Sequence, residues 1–378
     1  MSKLRLDLIN PLYCPWQEPI RHRTRGGIKE GRRPSVLPHV NKLRERVGAW
    51  RRAGYPSITG TTRRLLEYWF EEAPHRLPNS STFFQYHWGQ REAIETIIYL
   101  YEALPTQSEH KAPYTIKDIL ELLGDSFSRT EGIDPAELLW PRYAIKLATG
   151  TGKTKVMSLA IVWHYFNRLL EGNSNYTDTF VIIAPNVIVY ERLCEDFADG
   201  AIFQKDPVIP PEWRSRFDLQ VILRDDSAPP IRQSVLYLTN IQRLYPPKED
   251  ASPRLITPTE WQSKREVAIS EKILGPEVRR SKGTQKDPEP LLYRIARHKS
   301  VLVLNDEAHH LHDPNLAWNR TLAELHKRLQ EHGAGICLQL DFTATPRHTD
   351  GSYFKHVIVD FPLGEAVDAG IVKVPLLG

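Results

Sequence analysis

Gly150, Gly152, Lys153 and Thr154 stand within the stretch LATGTGKTKVM, residues 147–157, a spacing of residue types suited to holding an anion. Glycines let a backbone curl with its N–H groups turned inward, and a following helix N-terminus adds partial positive charge. A lysine can then reach the β and γ oxygens of a phosphate chain, and a threonine hydroxyl can ligate Mg2+. Thr149, Gly150, Thr151, Gly152, Lys153 and Thr154 are therefore the candidate phosphate-binding residues. The strict G-x-x-x-x-G-K-[ST] pattern has its first glycine where this chain has Leu147, so the fit is to the looser T-G-x-G-K-T form.

Two carboxylates follow much later in the chain. VLVLNDEAHHLHD ends an apolar run with Asp306, Glu307, Ala308 and His309, and the C-terminal edge of a strand is where open α/β sheets bind ligands. Asp306 can hold Mg2+, and Glu307 can polarise a water that attacks a γ-phosphate. A rival reading makes His309, His310, His312 and Asp313 a metal cluster. It is disfavoured because adjacent side chains diverge and no cysteine or distant ligand completes a tetrahedral set. In DFTATPR, residues 341–347, Thr343 and Thr345 can hydrogen-bond the acidic stretch, although a strand exit capped by threonine explains them equally well locally.

These residues need a frame, and the pattern supplies one. From Phe83 onward short apolar runs at 143–147, 180–185, 219–223, 234–239, 301–305, 335–344 and 356–361 alternate with longer stretches of helical periodicity. Near-continuous apolar strands separated by helices predict an α/β domain whose parallel sheet is covered on both faces. YAIKL runs into the glycine loop and KVMSLAIVWHYFNRLL follows at helical spacing, the strand, loop and helix order a phosphate loop requires. A polar insertion is expected at about 246–300, with a helix-like TEWQSKREVAISEKIL inside it. Ahead of the sheet, 1–39 reads as a Pro/Arg-rich extended arm, 40–80 as a small helical subdomain and 81–378 as the nucleotide-binding domain.

Composition narrows the classes. With 41% hydrophobic and 25% charged residues the chain can bury a core. No apolar run approaches the roughly 20 residues that span a bilayer, and the N-terminus lacks signal-peptide character, so a cytoplasmic location is expected. Cys14, Cys194 and Cys337 are too scattered for a disulfide framework. Net charge is +4, but residues 1–64 hold 15 Lys/Arg against 4 Asp/Glu. That surplus suggests a polyanion bound near the N-terminal end, the alternative being a solvated tail.

Taken in order, the stretches resemble the first RecA-like motor domain of superfamily 2 helicases and translocases. ATGTGKT is similar to motif I, APNVIVYERL to motif Ia, LTNIQRL to the Ib region, DEAH to motif II and TATP to motif III. FFQYHWGQREAIETIIYLYE resembles the Q motif, which implies that Gln90 reads an adenine edge while Tyr86 or Trp88 stacks on the base. Within the superfamily, NKLRERVGAWRRAGYPSITGTTRRLLEYWF, the stretch around the loop and the closing LGEAVDAGIVKVP look most like the helicase subunits of type III restriction endonucleases. The resemblance implies ATP and Mg2+ as ligands, and Lys153, Asp306, Glu307 and His309 as catalytic residues. It also implies coupling through Thr343, Ala344 and Thr345, and backbone contacts to double-stranded DNA by Arg192, Thr239, Asn240 and Arg243. Motifs IV to VI and an arginine finger are not in the chain, so a second motor domain is expected as a partner, and a DNA methyltransferase subunit as another. No P-D…[DE]-x-K nuclease constellation is convincing; Glu109, His110 and Lys111 have only the local spacing. Two alternatives are a nucleotide-dependent DNA-binding module without hydrolysis and an inactive truncated fragment.

Overall fold

The computed structural model describes residues 10–124 except 79, 109 and 111, residues 138–244 except 227, and residues 290–308, 317–347 and 353–373. An antiparallel hairpin of β1 (Arg21–Thr24) and β2 (Gly27–Glu30) comes first, and β3 (His75–Arg76) pairs with β4 (Phe83–Phe84). The main sheet holds β5 (Arg142–Leu147), β6 (Thr179–Ala184), β7 (Leu219–Leu223), β8 (Ser234–Asn240), β9 (Ser300–Asn305), β10 (Gly335–Thr343) and β11 (Val357–Phe361). All seven are parallel, in the order β11-β5-β10-β9-β6-β8-β7. Each apolar run marked in the sequence became one of these strands within about a residue or two, since a strand buried on both faces has no polar side to obscure it.

The helices used below are α1 (Pro38–Arg52), α2 (Gly60–Leu66), α3 (Trp88–Ile98), α4 (Lys153–Leu170), α5 (Val187–Phe197), α6 (Ala317–Gln330) and α7 (Leu363–Asp368). Alternation along the central strands separates two apolar cores. Phe180, Ile182 and Ala184 of β6 face one, with Leu302 and Leu304 of β9. Val181 and Ile183 face the other, with Val301 and Val303. Side chains of successive strand residues point to opposite faces, so both faces of the sheet are covered. The sheet is the α/β, P-loop type of frame that the sequence predicts. No described helix is long and apolar enough to cross a membrane.

The helices at 40–80 pack against the sheet domain: Leu43, Val47 and Trp50 of α1 and Leu65 and Leu66 of α2 share one core with Val156 and Trp163 of α4. Trp163 Nε1 donates to Thr62 Oγ1 at 3.0 Å, and the Thr62 hydroxyl donates to the buried Glu102 at 2.7 Å. The described part of the arm carries the β1–β2 hairpin, and three of its arginines pair inside the chain: Arg23 and Arg33 with Asp368, Arg32 with Glu92 and Glu365. Sequence counting registers the basic surplus but not the acidic side chains of α3 and α7 that fold against it. The helix-like segment of the insertion lies outside the described residues, as do Glu109 and Lys111.

Candidate nucleotide site

The site is assembled where strands of the main sheet end. β5 runs into a loop in which Gly150 and Gly152 take φ of 81° and 70°, left-handed conformations that side-chain-bearing residues seldom adopt. Gly152 is also the N-cap of α4, so Lys153 opens the helix. A Cβ on Gly152 would lie 2.5 Å from Gln90 Nε2, so a side chain there would push the Gln90 amide off the loop. Thr149 and Gly150 are exposed at the loop tip and Thr154 is half-buried. Thr151 is buried, its hydroxyl donating to Ala148 O at 2.6 Å.

The start of α3 buttresses this loop. His87 caps α3, and its Nε2–H donates to Thr151 O at 2.6 Å, which leaves Nδ1 to accept from Gln90 N at 3.4 Å. Burial holds the ring neutral, with its pKa pushed down to about 4, and it stacks on Phe361 at 5.6 Å. Gln90 Nε2 reaches the carbonyls of Thr151 and Gly152, each at 3.3 Å. Gln90 therefore sits on the phosphate loop's backbone. Tyr86 and Trp88 have their rings committed elsewhere: the Tyr86 hydroxyl donates to Pro207 O, and the Arg51 guanidinium lies 4.5 Å over Trp88. The residue that sequence reading passed over is His87, between those two aromatics. Its only signal was the H-x-x-Q spacing of a capping box.

The acidic pair arrives from β9. Asp306 N donates to Ile183 O at 3.0 Å, extending the ladder to β6 by one residue, and Glu307 then turns with φ of 47°. A non-glycine residue in that region is strained and held by its surroundings. Lys153 Nζ meets Glu307 Oε1 at 2.5 Å, and both side chains are largely buried. Asp306 Oδ2 accepts from Arg192 Nη2 at 2.5 Å, while Oδ1 accepts from Glu307 N at 3.0 Å. Burial pushes the Asp306 carboxyl above its usual range and Glu307 adds to this, with Lys153 and Arg192 only partly offsetting them. The donor set, a threonine hydroxyl at 154 and a buried carboxylate at 306, suits a hard divalent cation that keeps water ligands.

Behind the site lies a polar network the sequence did not announce. Asp341 of β10 is fully buried and receives Asn305 Nδ2 at 2.6 Å, Gln339 Nε2 at 2.9 Å and Arg142 Nε at 2.7 Å, with His356 Nε2 at 3.2 Å. Asp341 is in register with Asn305 on β9 and with Ala144 on β5. The network thus ties the strand before the acidic pair to the strand before the glycine loop. Thr343 is buried and its hydroxyl oxygen accepts from Thr345 N at 3.1 Å, with Ala344 half-buried and Thr345 exposed.

Of the expected DNA-facing residues, Arg192 is drawn to Asp306 and Arg243 pairs with Asp225 at 2.8 Å on the surface. Thr239 is fully buried, its hydroxyl donating to Asn240 O at 3.3 Å, and Asn240 is buried beside it. Burial of both side chains at the end of β8 leaves Arg192 and Arg243 as the accessible pair of the four. His309 lies outside the described residues, with His310, His312 and Asp313. Among the described residues there is no group of three or more His, Cys, Asp or Glu placed to hold a metal ion.

The family model described as type III restriction enzyme, res subunit, matches residues 87–348. No curated protein and no solved structure matches the chain significantly. The match runs from the capping histidine of α3 past the TATP turn and takes in the glycine loop, α5 and the acidic pair, more than two thirds of the sequence. On that span and on the parallel sheet that carries it, the chain belongs to the family of type III restriction enzyme res subunits.

Proposed function

We propose that the domain binds ATP with Mg2+ and hydrolyses it as the first lobe of a motor that moves on double-stranded DNA, in a type III-like restriction or antiphage system. One observation carries this reading: Lys153 and Glu307, 154 residues apart in the chain, meet at 2.5 Å beside Asp306. A phosphate-binding lysine and a candidate base at one sheet edge are what phosphoryl transfer to water requires.

Each residue has a definable task. The loop amides and Lys153 hold the β and γ phosphates, so Lys153 must exchange Glu307 for phosphate oxygen when nucleotide enters. Freed from the ammonium, Glu307 accepts a proton from the attacking water. Asp306 and Thr154 would hold Mg2+, which when bound neutralises charge on the phosphate oxygens. His87 and Gln90 keep the loop in shape from α3. Arg192 and Arg243 contact the nucleic-acid backbone without reading sequence. A second RecA-like lobe closes the site with an arginine, and a methyltransferase subunit supplies site recognition.

Phosphate release from ATP, measured with and without duplex DNA, tests this reading. Release that rises with duplex and is lost in Glu307→Gln supports it. Equal release in Glu307→Gln and the parent would remove Glu307 as the base. Nucleotide binding with no hydrolysis in either protein would favour the DNA-binding module without turnover.

A further inference from the structure

Arg192 sits on two surfaces at once. Its guanidinium is bound to Asp306, whose side chain is 1% exposed, while its own side chain is 51% exposed. It lies one helical turn after Ile188, which is 80% exposed at the open first turn of α5. Residues four apart share a helix face, so Ile188 and Arg192 project on the same solvent-facing side. The carboxylate is fixed: Oδ1 accepts from Glu307 N, and Asp306 N is locked to β6. Only the arginine can leave.

Charge makes the contact conditional. Lys153, Arg192, Asp306 and Glu307 balance as two cations against two carboxylates in two direct pairs. A divalent cation at Asp306 would compete with the guanidinium for the same oxygen, because two cations cannot share it without repulsion. A guanidinium so displaced stands on an exposed helix face that also carries Glu195 and Asp196 one turn on, and a backbone phosphate offers it a bidentate partner that these single carboxylates must compete with.

We propose that Arg192 is a positioning residue that holds Asp306 in the nucleotide-free site and exchanges this carboxylate for a nucleic-acid phosphate as Mg2+ arrives. This rests on the nucleotide and DNA reading above and adds the link between the two. Linkage requires the exchange to work in both directions: DNA that captures Arg192 frees Asp306, so DNA must raise the affinity for Mg2+ in the nucleotide site.

The experiment is a Mg2+ titration of the whole chain with a fluorescent, non-hydrolysable ATP analogue, with and without duplex DNA. In the parent, duplex should lower the half-saturating Mg2+ concentration by about fivefold or more, the usual lower range of coupling between sites. Arg192→Ala should show the lowered midpoint without DNA and no further response to duplex. Arg192→Lys, which keeps a charge but loses the fork, should restore the DNA response in part. A midpoint that duplex does not move in the parent, or moves equally in Arg192→Ala, overturns the exchange. So does weaker analogue binding by Arg192→Ala at every Mg2+ concentration with an unshifted midpoint, which would make the arginine a plain phosphate ligand. Unaltered analogue binding by Lys153→Ala, run alongside, would instead mean that the nucleotide-site reading itself is what fails.

Discussion

Arg32, just after the N-terminal hairpin, and the pair Lys153 and Arg192 all meet carboxylates that are buried or nearly so, yet the two regions are built to opposite ends. Arg32 donates to both oxygens of Glu92 at 2.5 and 2.8 Å and to both oxygens of Glu365, with Nη2 at 2.9 Å and Nε at 3.2 Å from them. Arg44 adds a further contact to Glu92 at 3.2 Å, and none of the four side chains is more than 13% exposed. In the candidate nucleotide site each cation meets one carboxylate oxygen among the described residues, and Arg192 is half in solvent. A fork shared by two acids closes on itself and holds chain segments together. A single contact with a half-exposed partner is open to exchange. Ion pairs of similar length thus do structural work in one place and, on the reading proposed above, keep a site ready in the other.

The largest effect that separates the two regions should come from Glu307→Gln, which removes a proton acceptor and touches no packing. Hydrolysis should fall by about 10² to 10⁴, while binding of the ATP analogue is kept or tightened, since Lys153 no longer has a carboxylate to leave, and the urea midpoint falls less than in the arm substitution. A fall in the urea midpoint as large as that from the arm substitution would erase the distinction.

Arg32→Ala should do the reverse. It leaves Glu92 and Glu365 buried with Arg44 in contact and Arg51 farther from Glu92, and breaking a buried pair from one side costs about 3–5 kcal/mol, read as a loss of unfolding free energy in urea. Deleting 1–39 removes the same arginine, so impaired folding is expected to dominate any change in DNA affinity. A loss below about 1 kcal/mol, in the range of exposed pairs, would show the cluster to be solvated.

Lys153→Ala should weaken nucleotide binding by about 10- to 100-fold, the scale of a lost charge-assisted hydrogen bond, with little change in stability. Analogue titration reads the first and urea unfolding the second. Undiminished affinity would put the phosphates elsewhere.

The finest contrast lies within the arm itself. Burial pushes the Glu92 carboxyl up, but Arg32 and Arg44 outweigh it and hold the pKa below its ordinary 4.5. Glu365 is also pushed up by burial, and Arg32 only partly offsets this, so its pKa stays above 4.5. A lowered carboxylate adds stability above the unfolded value and loses it as pH falls through the folded one; a raised carboxylate does the opposite. Glu92→Gln should therefore cost more than Glu365→Gln at pH 7, with the gap closing as pH falls through and below 4.5 in urea unfolding. Equal costs at both pH values would mean that the two acids share Arg32 evenly.

Much of this was written in the sequence. The seven sheet strands, the order of strand, loop and helix around Gly150 and Gly152, and the places of Asp306 and Glu307 could all be read from it. The reason is locality: strand burial shows as continuous apolar runs, and the loop's demand for glycine arises from backbone geometry within a few residues. What the tertiary structure alone decided were partners distant in sequence. Arg32 found Glu92 and Glu365, Asp341 gathered Arg142, Asn305 and His356, and Arg192 turned to Asp306. A charged residue's type states that it needs a counter-charge, but which one it meets depends on how helices and strands dock. That is why the sequence could count the arm's basic surplus and mark Arg192 without naming the carboxylates they meet, while the glycine loop needed nothing beyond its own neighbours to be recognised.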